Sequence, residues 1–253
     1  DWVARQNALT FDYLAGLPQR DGIRARLEAL WDYERYSVPV RRGERIFFRR
    51  NDGLQDQAVL YVQDGPDGPP RVLLDPNGWS DDGTVALAEA YPSPDGRFLA
   101  YTVQDGGSDW RSARIVDVAS GQMLDETLDW LKFTSIAWTG DGFFYSRYPR
   151  PDDDDKYTGL NTGQSVWLHT LGTGQAEDRP VYARPDHPEW GFSPTVSHDG
   201  RHLVIEVWHG TDDRNQVVHQ DLSDPAAQPD LLVSGFEAGY TFIGAMDGTL
   251  YFL

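Results

Sequence analysis

The chain has 253 residues, of which 40% are hydrophobic, so it is long enough to bury the core of one large domain or two small ones. Its 22 basic residues face 40 acidic residues, and the resulting net charge of −18 argues against a nucleic acid or an anionic membrane as partner. Cysteine is absent, which excludes disulfides and thiolate chemistry, and no apolar run approaches the ~20 residues of a membrane span.

The first 32 residues are expected to be helical, unlike the rest of the chain. Asp21 is placed to cap a helix whose apolar residues recur on one face, at Ile23, Leu27, Leu30 and Trp31. A weaker helix precedes it over Trp2–Ala15 and is stopped by Gly16. Two such helices need an apolar surface to lie against. Because no other part of the chain is predicted to be helical, we expect that surface to lie outside this sequence.

From residue 33 the sequence consists of short predicted strands separated by turn residues. An Asp-Gly pair between two apolar runs recurs four times, at residues 95–96, 141–142, 199–200 and 247–248. The spacings between these pairs are 46, 58 and 48 residues. Asp-Gly tolerates the positive φ angles of a tight hairpin turn. A repeat of roughly 40–50 residues built only of strands indicates a β-propeller.

Each repeat accommodates up to four strands. The strands are predicted at about 37–40, 45–50, 58–63 and 71–74; at 85–92, 97–103, 112–118 and 122–128; from 134 onwards, at 165–171 and at 180–183; at 194–197, 201–207, 215–221 and 230–234; and from 240 onwards. The third repeat carries a polar insertion at 149–163, whose acidic run at 152–155 we expect to be a solvated loop. Five repeats with the last one incomplete do not close a ring, so we expect the front part of a longer chain.

The residues alone show no catalytic machinery. The sequence contains no Gly-x-Ser-x-Gly nucleophile elbow, no phosphate-binding loop and no His-Glu-x-x-His zinc motif. The nearest approach to an elbow, Gly107-Ser108-Asp109-Trp110, lacks the second glycine. Composition and motifs therefore indicate a partial propeller and leave its function open.

Several phrases, in order and spread over most of the chain, together resemble the prolyl oligopeptidases, and within them the prolyl endopeptidase branch. They are Trp2-Val3-x-x-Gln6-Asn7, Leu30-Trp31-Asp32-Tyr33-x-x-Tyr36-Ser37, Asn51-Asp52-Gly53-Leu54-Gln55-Asp56-Gln57, Leu74-Asp75-Pro76-Asn77, Gly107-Ser108-Asp109-Trp110 and Lys132-Phe133-x-x-x-Ala137-Trp138-Thr139.

This resemblance implies a serine peptidase that cleaves short peptides after proline through an acyl-enzyme. Residues 1–32 would pack on an α/β-hydrolase domain of the same chain. Residues 33–253 would form about four and a half blades of a seven-bladed β-propeller that gates access of the substrate. The Ser, Asp and His of the triad would follow residue 253, so no catalytic residue is expected within the segment. No cofactor and no metal is implied, and a monomer is expected.

The resemblance also implies substrate-binding residues. Phe133 matches a phenylalanine that lines the pocket for the substrate residue two before the proline, and Asp109 matches an acidic residue near the active site. Either could instead serve the blade itself, Phe133 in its core and Asp109 as a turn cap. Three positions depart from mammalian relatives: Gly191 replaces Met, Trp208 replaces a substrate-facing Arg, and Thr211 replaces Cys. The resemblance therefore does not establish which substrate side chains this part of the pocket prefers.

Two questions stay open at the level of sequence. A non-enzymatic propeller that binds proteins through its axial face is the alternative to a peptidase, and it predicts a closed ring without a hydrolase domain. We expect a cytoplasmic protein, but the lack of cysteine does not establish the compartment, and a periplasmic or secreted location stays open.

We predict that residues 1–253, produced alone, do not hydrolyse a proline-containing chromogenic peptide, because the segment has no nucleophile elbow. The release of chromophore is compared with that of an unrelated protein at the same concentration. Turnover above that background would contradict the placement of the catalytic residues elsewhere.

Overall fold

The computed structural model describes residues 1–152 and 159–253, so most of the acidic run at 152–155 lies outside the described residues. Two helices open the chain, α1 at Trp2–Ala15 and α2 at Arg20–Trp31, as the sequence predicted. The expected cap is wrong, because α2 begins after Gln19 and places Asp21 inside the first turn. An acidic residue there still interacts favourably with the helix dipole. No helix of the described residues is long and apolar enough to cross a membrane.

The remaining elements of the described chain are strands and two short 3-10 turns. The strands are β1 Arg35–Tyr36, β2 Val40–Arg42, β3 Arg45–Asn51, β4 Val59–Asp64, β5 Arg71–Leu74, β6 Ala86–Pro92, β7 Phe98–Gln104, β8 Arg111–Asp117, β9 Met123–Leu131, β10 Ala137–Thr139, β11 Gly142–Arg147, β12 Ser165–Thr170, β13 Arg179–Ala183, β14 Trp190–Val196, β15 His202–His209, β16 Asn215–Asp221, β17 Asp230–Val233, β18 Phe242–Met246 and β19 Thr249–Phe252. The turns are at Pro76–Gly78 and Gln175–Glu177.

These strands form antiparallel sheets that follow chain order, which is the blade pattern of a propeller. Strands β1–β5 form blade 1, β6–β9 blade 2, β10–β13 blade 3 and β14–β17 blade 4, while β18 and β19 form a two-stranded pair. Most strands start and end within three residues of their predicted positions. The exceptions are β1, which no predicted strand covers, and β14, which begins four residues early because it pairs with β15 from Trp190 onwards. Gly191 concealed the first residues of β14, since glycine is uncommon inside sheets.

The repeated Asp-Gly phrase builds the same turn in blades 2 and 4. In blade 4 the Ser197 hydroxyl donates to Asp199 over 2.5 Å, and Gly200 has a φ of +74°. Blade 2 repeats these features at Ser93, Asp95 and Gly96. Hydrogen bonds from the Ser197 hydroxyl and from the N–H of Arg201 lower the pKa of Asp199. The carboxylate therefore stays ionised and holds the turn.

The hydrophobic core lies between neighbouring blades. One cluster joins blades 1 and 2, another joins blades 2 and 3, and a third joins blades 3 and 4. Their central buried members are Phe47, Val62, Leu99 and Tyr101; Ile115, Leu128, Phe143 and Tyr145; and Phe144, Val166, Phe192 and Ile205. Each side chain of this size stabilises the fold by roughly 1.5–3 kcal/mol when fully buried. A blade is thus stable only beside another blade.

Blade 3 also buries a polar cluster beside this core. Nδ1 of His169 lies 2.7 Å from Asp178, and the Tyr145 hydroxyl donates to the other oxygen of Asp178 over 2.5 Å. Burial, followed by the hydrogen bond to Asp178, raises the pKa of Tyr145, so its hydroxyl remains protonated. The side chain of Gln175 donates to Tyr145 and also bonds the backbone of Asp129 in blade 2. The cluster therefore helps to join two blades.

We predict that Asp178→Ala in the full-length protein costs on the order of 3 kcal/mol of unfolding free energy, because His169 and Tyr145 both lose their buried acceptor. Tyr145→Phe serves as the control and should cost only about 1 kcal/mol, since Asp178 keeps its bond to His169 and the Gln175 amide keeps its bond to Asp129. Denaturant titration measures both values. Equal losses would show that the carboxylate does not organise the cluster.

Candidate functional site

The five predicted substrate-binding residues lie at the same end of blades 2 to 4. This end, which we call the pocket end, is where β7, β9 and β15 finish and where β8 and β14 begin. The contributing positions are Asp109 between β7 and β8, Phe133 after β9, Gly191 in β14, Trp208 in β15 and Thr211 after β15. Antiparallel strands in successive blades place these loops side by side. The structure thus brings together residues that are up to 102 positions apart in the sequence.

An aromatic wall stands at the centre of the pocket end. The rings of Phe133 and Trp208 meet edge to face, with centroids 6.2 Å apart and planes at 85°. Phe133 is 51% exposed, so it is not a residue of the blade core. Its φ of +51° lies in the left-handed region, where a residue other than glycine is strained. This conformation presents the ring to the pocket.

Gln164 holds the backbone that carries Phe133. Its buried amide donates to the carbonyl of Lys132 over 2.8 Å and to that of Phe133 over 3.4 Å. Its oxygen accepts from the N–H of Phe192 in β14 over 2.6 Å. One side chain therefore connects the turn at Phe133 to the strand that bears Gly191. No sequence motif distinguishes Gln164 from other loop glutamines, so its role emerges only from the structure.

Trp208 occupies space that only glycine leaves free. Gly191 and Trp208 are paired residues in the register of β14 and β15. A Cβ built on Gly191 would overlap the six-membered ring of Trp208. The two positions are therefore coupled: the indole lies over β14 because residue 191 has no side chain.

Two cavities adjoin the aromatic wall, and Phe133 and Trp208 line both. The smaller, of about 400 Å³, is lined by Asp109, Arg111, Phe133, Thr134, Ser135, Ser193 and Trp208. The larger, of about 600 Å³, is lined by Phe133, Tyr148, Leu160, Asn161, Thr162, Glu189, Trp208, Gly210 and Thr211. Burial raises the pKa of Tyr148 to about 12, so this hydroxyl is neutral at physiological pH. A third cavity of about 600 Å³ shares Arg111 with the smaller one, also contains Trp79, Trp110 and Arg114, and is lined by none of the five predicted residues.

Lys132 neutralises the acidic residue of the smaller cavity. Its Nζ lies 3.7 Å from the carboxylate of Asp109 and 3.2 Å from the side-chain oxygen of Asn161. The same ammonium lies 5.0 Å from the ring centroid of Trp110 and 5.3 Å from that of Phe133, both within cation–π range. Lys132, which precedes Phe133 in the sequence motif, is thus also a residue of the site. The sequence alone did not show which side chains Lys132 contacts.

The described residues contain no group of three or more His, Cys, Asp or Glu side chains arranged to hold a metal ion. What the pocket end offers is aromatic surface, a few hydroxyl and amide groups and isolated charges. Such a lining suits a peptide or another small ligand that is held by apolar contacts and oriented by a few polar ones.

Comparison with known proteins places the whole chain in one group. A family model described as the prolyl oligopeptidase N-terminal β-propeller domain matches residues 1–253. A prolyl endopeptidase of Elizabethkingia miricola is 37% identical over 253 residues, and one of Elizabethkingia meningoseptica is 36% identical. The matches cover 99% of this chain and 35% of each relative, so the chain spans about a third of their length.

Solved structures agree with this grouping. A prolyl endopeptidase studied for inter-domain dynamics in catalysis and specificity has a TM-score of 0.81 and 42% identity, over 99% of this chain and 36% of that one. Prolyl oligopeptidase B from Galerina marginata, bound to a 25mer macrocyclization substrate, has a TM-score of 0.90 and 27% identity, over 99% of this chain and 38% of that one.

We predict that Gly191→Ala destabilises the full-length protein by about 1–3 kcal/mol, because the new methyl group displaces the Trp208 ring. In a Trp208→Ala background the same change should cost far less, which is the non-additivity expected of residues in contact. Thermal or denaturant unfolding of the four proteins measures the coupling. Gly244→Ala, a glycine in β18 with open space beside it, is the matched control. Additive effects at 191 and 208 would refute the coupling.

Proposed function

This chain belongs to the prolyl oligopeptidase family, and from that premise we propose that it forms the substrate-facing propeller of a serine endopeptidase that cleaves short peptides after proline. The catalytic domain lies outside this segment, as the lack of a nucleophile elbow requires. The observation that carries the proposal is the convergence of Phe133, Trp208, Gly191, Asp109 and Thr211 around two adjoining cavities.

We propose that residues 1–32 pack on the α/β-hydrolase domain and that residues 33–253 form the propeller. The helices support this assignment, because neither has a buried residue in the described structure. Their large apolar side chains are mostly exposed, among them Trp2, Ile23, Leu27 and Trp31. Apolar helices of this kind need a covering surface. Arg35 donates to the carbonyl of Trp31 at the end of α2, and so joins the helices to blade 1.

Phe133 supplies an aromatic wall for the substrate residue two before the scissile proline. The ring is half exposed, held by Gln164 and Lys132, and backed by Trp208. A ring held in this way loses little entropy when a ligand side chain packs against it. Aromatic groups and the aliphatic parts of longer side chains are therefore what we expect this ring to bind.

Gly191 makes room for Trp208, and the indole of Trp208 gives the pocket apolar surface where mammalian relatives have a positively charged arginine. An arginine at position 208 would attract acidic side chains of the peptide, whereas an indole cannot. Asp109 has its charge largely balanced by Lys132 and adds no attraction for acidic groups. We also propose that the propeller gates access to the active site, so that short peptides enter and folded proteins are excluded. The relative bound to a 25mer substrate supports a peptide as the ligand of this surface.

The alternative of a propeller that only binds proteins has no observation in its favour here. Two curated relatives that match over 99% of the chain are named prolyl endopeptidases.

We predict that Phe133→Ala in the full-length enzyme lowers kcat/KM for a substrate with an aromatic group at this subsite by the equivalent of about 1–3 kcal/mol, the worth of a buried apolar side chain. A truncated substrate without that residue should be nearly unaffected. Chromogenic peptides that release their group after proline provide the assay.

Leu231→Ala serves as the control for this experiment, because Leu231 is an exposed residue of the outer strand β17 and lies in neither cavity. Its kcat/KM should match that of the unmodified enzyme for both substrates. Equal losses for both substrates with Phe133→Ala would show that Phe133 does not meet the peptide, and a full-length protein that cleaves no prolyl bond would overturn the proposed function itself.

A further inference from the structure

The larger cavity beside the aromatic wall has a distinctive charge. Of the described residues that line it, Glu189 is the one Asp, Glu, Lys or Arg. Phe133, Tyr148 and Trp208 provide aromatic surface, and the remaining polar groups are amides and hydroxyls. Tyr148 is neutral because burial raises its pKa to about 12. The described lining therefore combines three aromatic side chains with one carboxylate.

Within the described residues, the basic partner of the Glu189 carboxylate is a histidine. Its carboxylate lies 3.5 Å from Nδ1 of His187, and no Lys or Arg of the described residues is within salt-bridge distance of it. The other ring nitrogen of His187 lies 3.6 Å from Asp186, so two carboxylates share this imidazole. The side chain of Glu189 is 47% exposed and remains accessible to a ligand in the cavity.

The nearby cations are committed to other acids. Arg184 donates to both oxygens of Asp186, over 2.9 and 2.8 Å, and these bonds lower the pKa of Asp186 to about 2. Lys132 pairs with Asp109 over 3.7 Å and donates to the side-chain oxygen of Asn161, a residue of the larger cavity, but it is not within salt-bridge distance of Glu189. Among the described residues, the charge of Glu189 is therefore available to a ligand in the larger cavity.

His187 also fixes the loop that carries Glu189. Its ring stacks on Trp190 with centroids 3.9 Å apart and planes at 3°, and Arg184 covers the same indole at 4.7 Å. Trp190 is buried at the start of β14. A short loop anchored at both sides of Glu189 keeps the carboxylate at the cavity, which reduces the entropy lost on binding.

We propose that Glu189 is a specificity-determining residue that binds a cationic side chain, lysine or arginine, two residues before the scissile proline. The proposal rests on the proposed function and deepens it by naming a substrate class. A carboxylate beside aromatic faces attracts an ammonium or guanidinium by direct charge and by cation–π interaction. The net charge of −18 further favours approach of cationic peptides.

The test uses the full-length enzyme and three substrates of equal length, acetyl-Xaa-Ala-Pro-p-nitroanilide, with lysine, norleucine or glutamate as Xaa. Norleucine keeps most of the lysine chain without its charge. We expect kcat/KM to fall in the order lysine, norleucine, glutamate. Glu189→Gln should lower the lysine-to-norleucine ratio about three- to ten-fold, mainly through KM, which is the scale of an exposed charge pair with a cation–π contribution.

Two further measurements separate charge from structure. Glu189→Lys should invert the order, so that the glutamate substrate becomes better than the lysine substrate. The lysine preference of the unmodified enzyme should also shrink as salt is raised, because ions screen an exposed pair. A merely structural role of Glu189 would change all three substrates alike and would not depend on salt.

Glu44→Gln is the matched control, since Glu44 is exposed at the turn between β2 and β3 and lines neither cavity. Its substrate ratios should equal those of the unmodified enzyme. Unchanged ratios in Glu189→Gln and Glu189→Lys, with all substrates still cleaved after proline, would overturn this inference and leave the proposed function standing. The absence of any prolyl cleavage by the unmodified enzyme would overturn both.

Discussion

Burial between neighbouring blades is the constraint on which the rest of this structure depends. A four-stranded antiparallel sheet has two faces, and a chain with 40% hydrophobic residues cannot leave both in water. Here each interior face is covered by the next blade, and three clusters link the four sheets in sequence. The large buried side chains, such as Tyr101, Phe143 and Phe192, therefore stabilise contacts between blades as much as the blades themselves.

The site follows from that packing. Because successive blades stand side by side, the loops at one end of the sheets meet, and residues from blades 2, 3 and 4 line the same cavities. The strands supply rigid positions for Gly191 and Trp208, whereas the connections carry Phe133, Lys132 and Glu189. Polar bridges such as Gln164 then fix the connections to the strands. A rigid framework with functional loops at one edge is a common arrangement in binding proteins.

The pocket end divides into two electrostatic environments on either side of the aromatic wall. On one side the charge of Asp109 is balanced by Lys132. On the other, the described partner of Glu189 is the imidazole of His187, which it shares with Asp186. The smaller cavity is lined by both Asp109 and Arg111, whereas the described lining of the larger one has a carboxylate and no Lys or Arg, and this difference determines which ligand groups each cavity attracts. Trp208 lines both cavities with an uncharged indole and leaves this contrast unaltered.

The sequence by itself determined the repeat, the strands and the two helices, because hairpin turns and hydrophobic periodicity are local properties of the chain. The family motifs also led to Phe133, Asp109, Gly191, Trp208 and Thr211, although not to what each one touches. Only the tertiary structure decided that Gly191 makes room for Trp208, that Gln164 supports Phe133 and that Glu189 lines one cavity with Phe133 and Trp208. These relations join residues that are distant in the sequence, and contacts between such residues depend on how the strands pair and the blades pack, which no local pattern encodes.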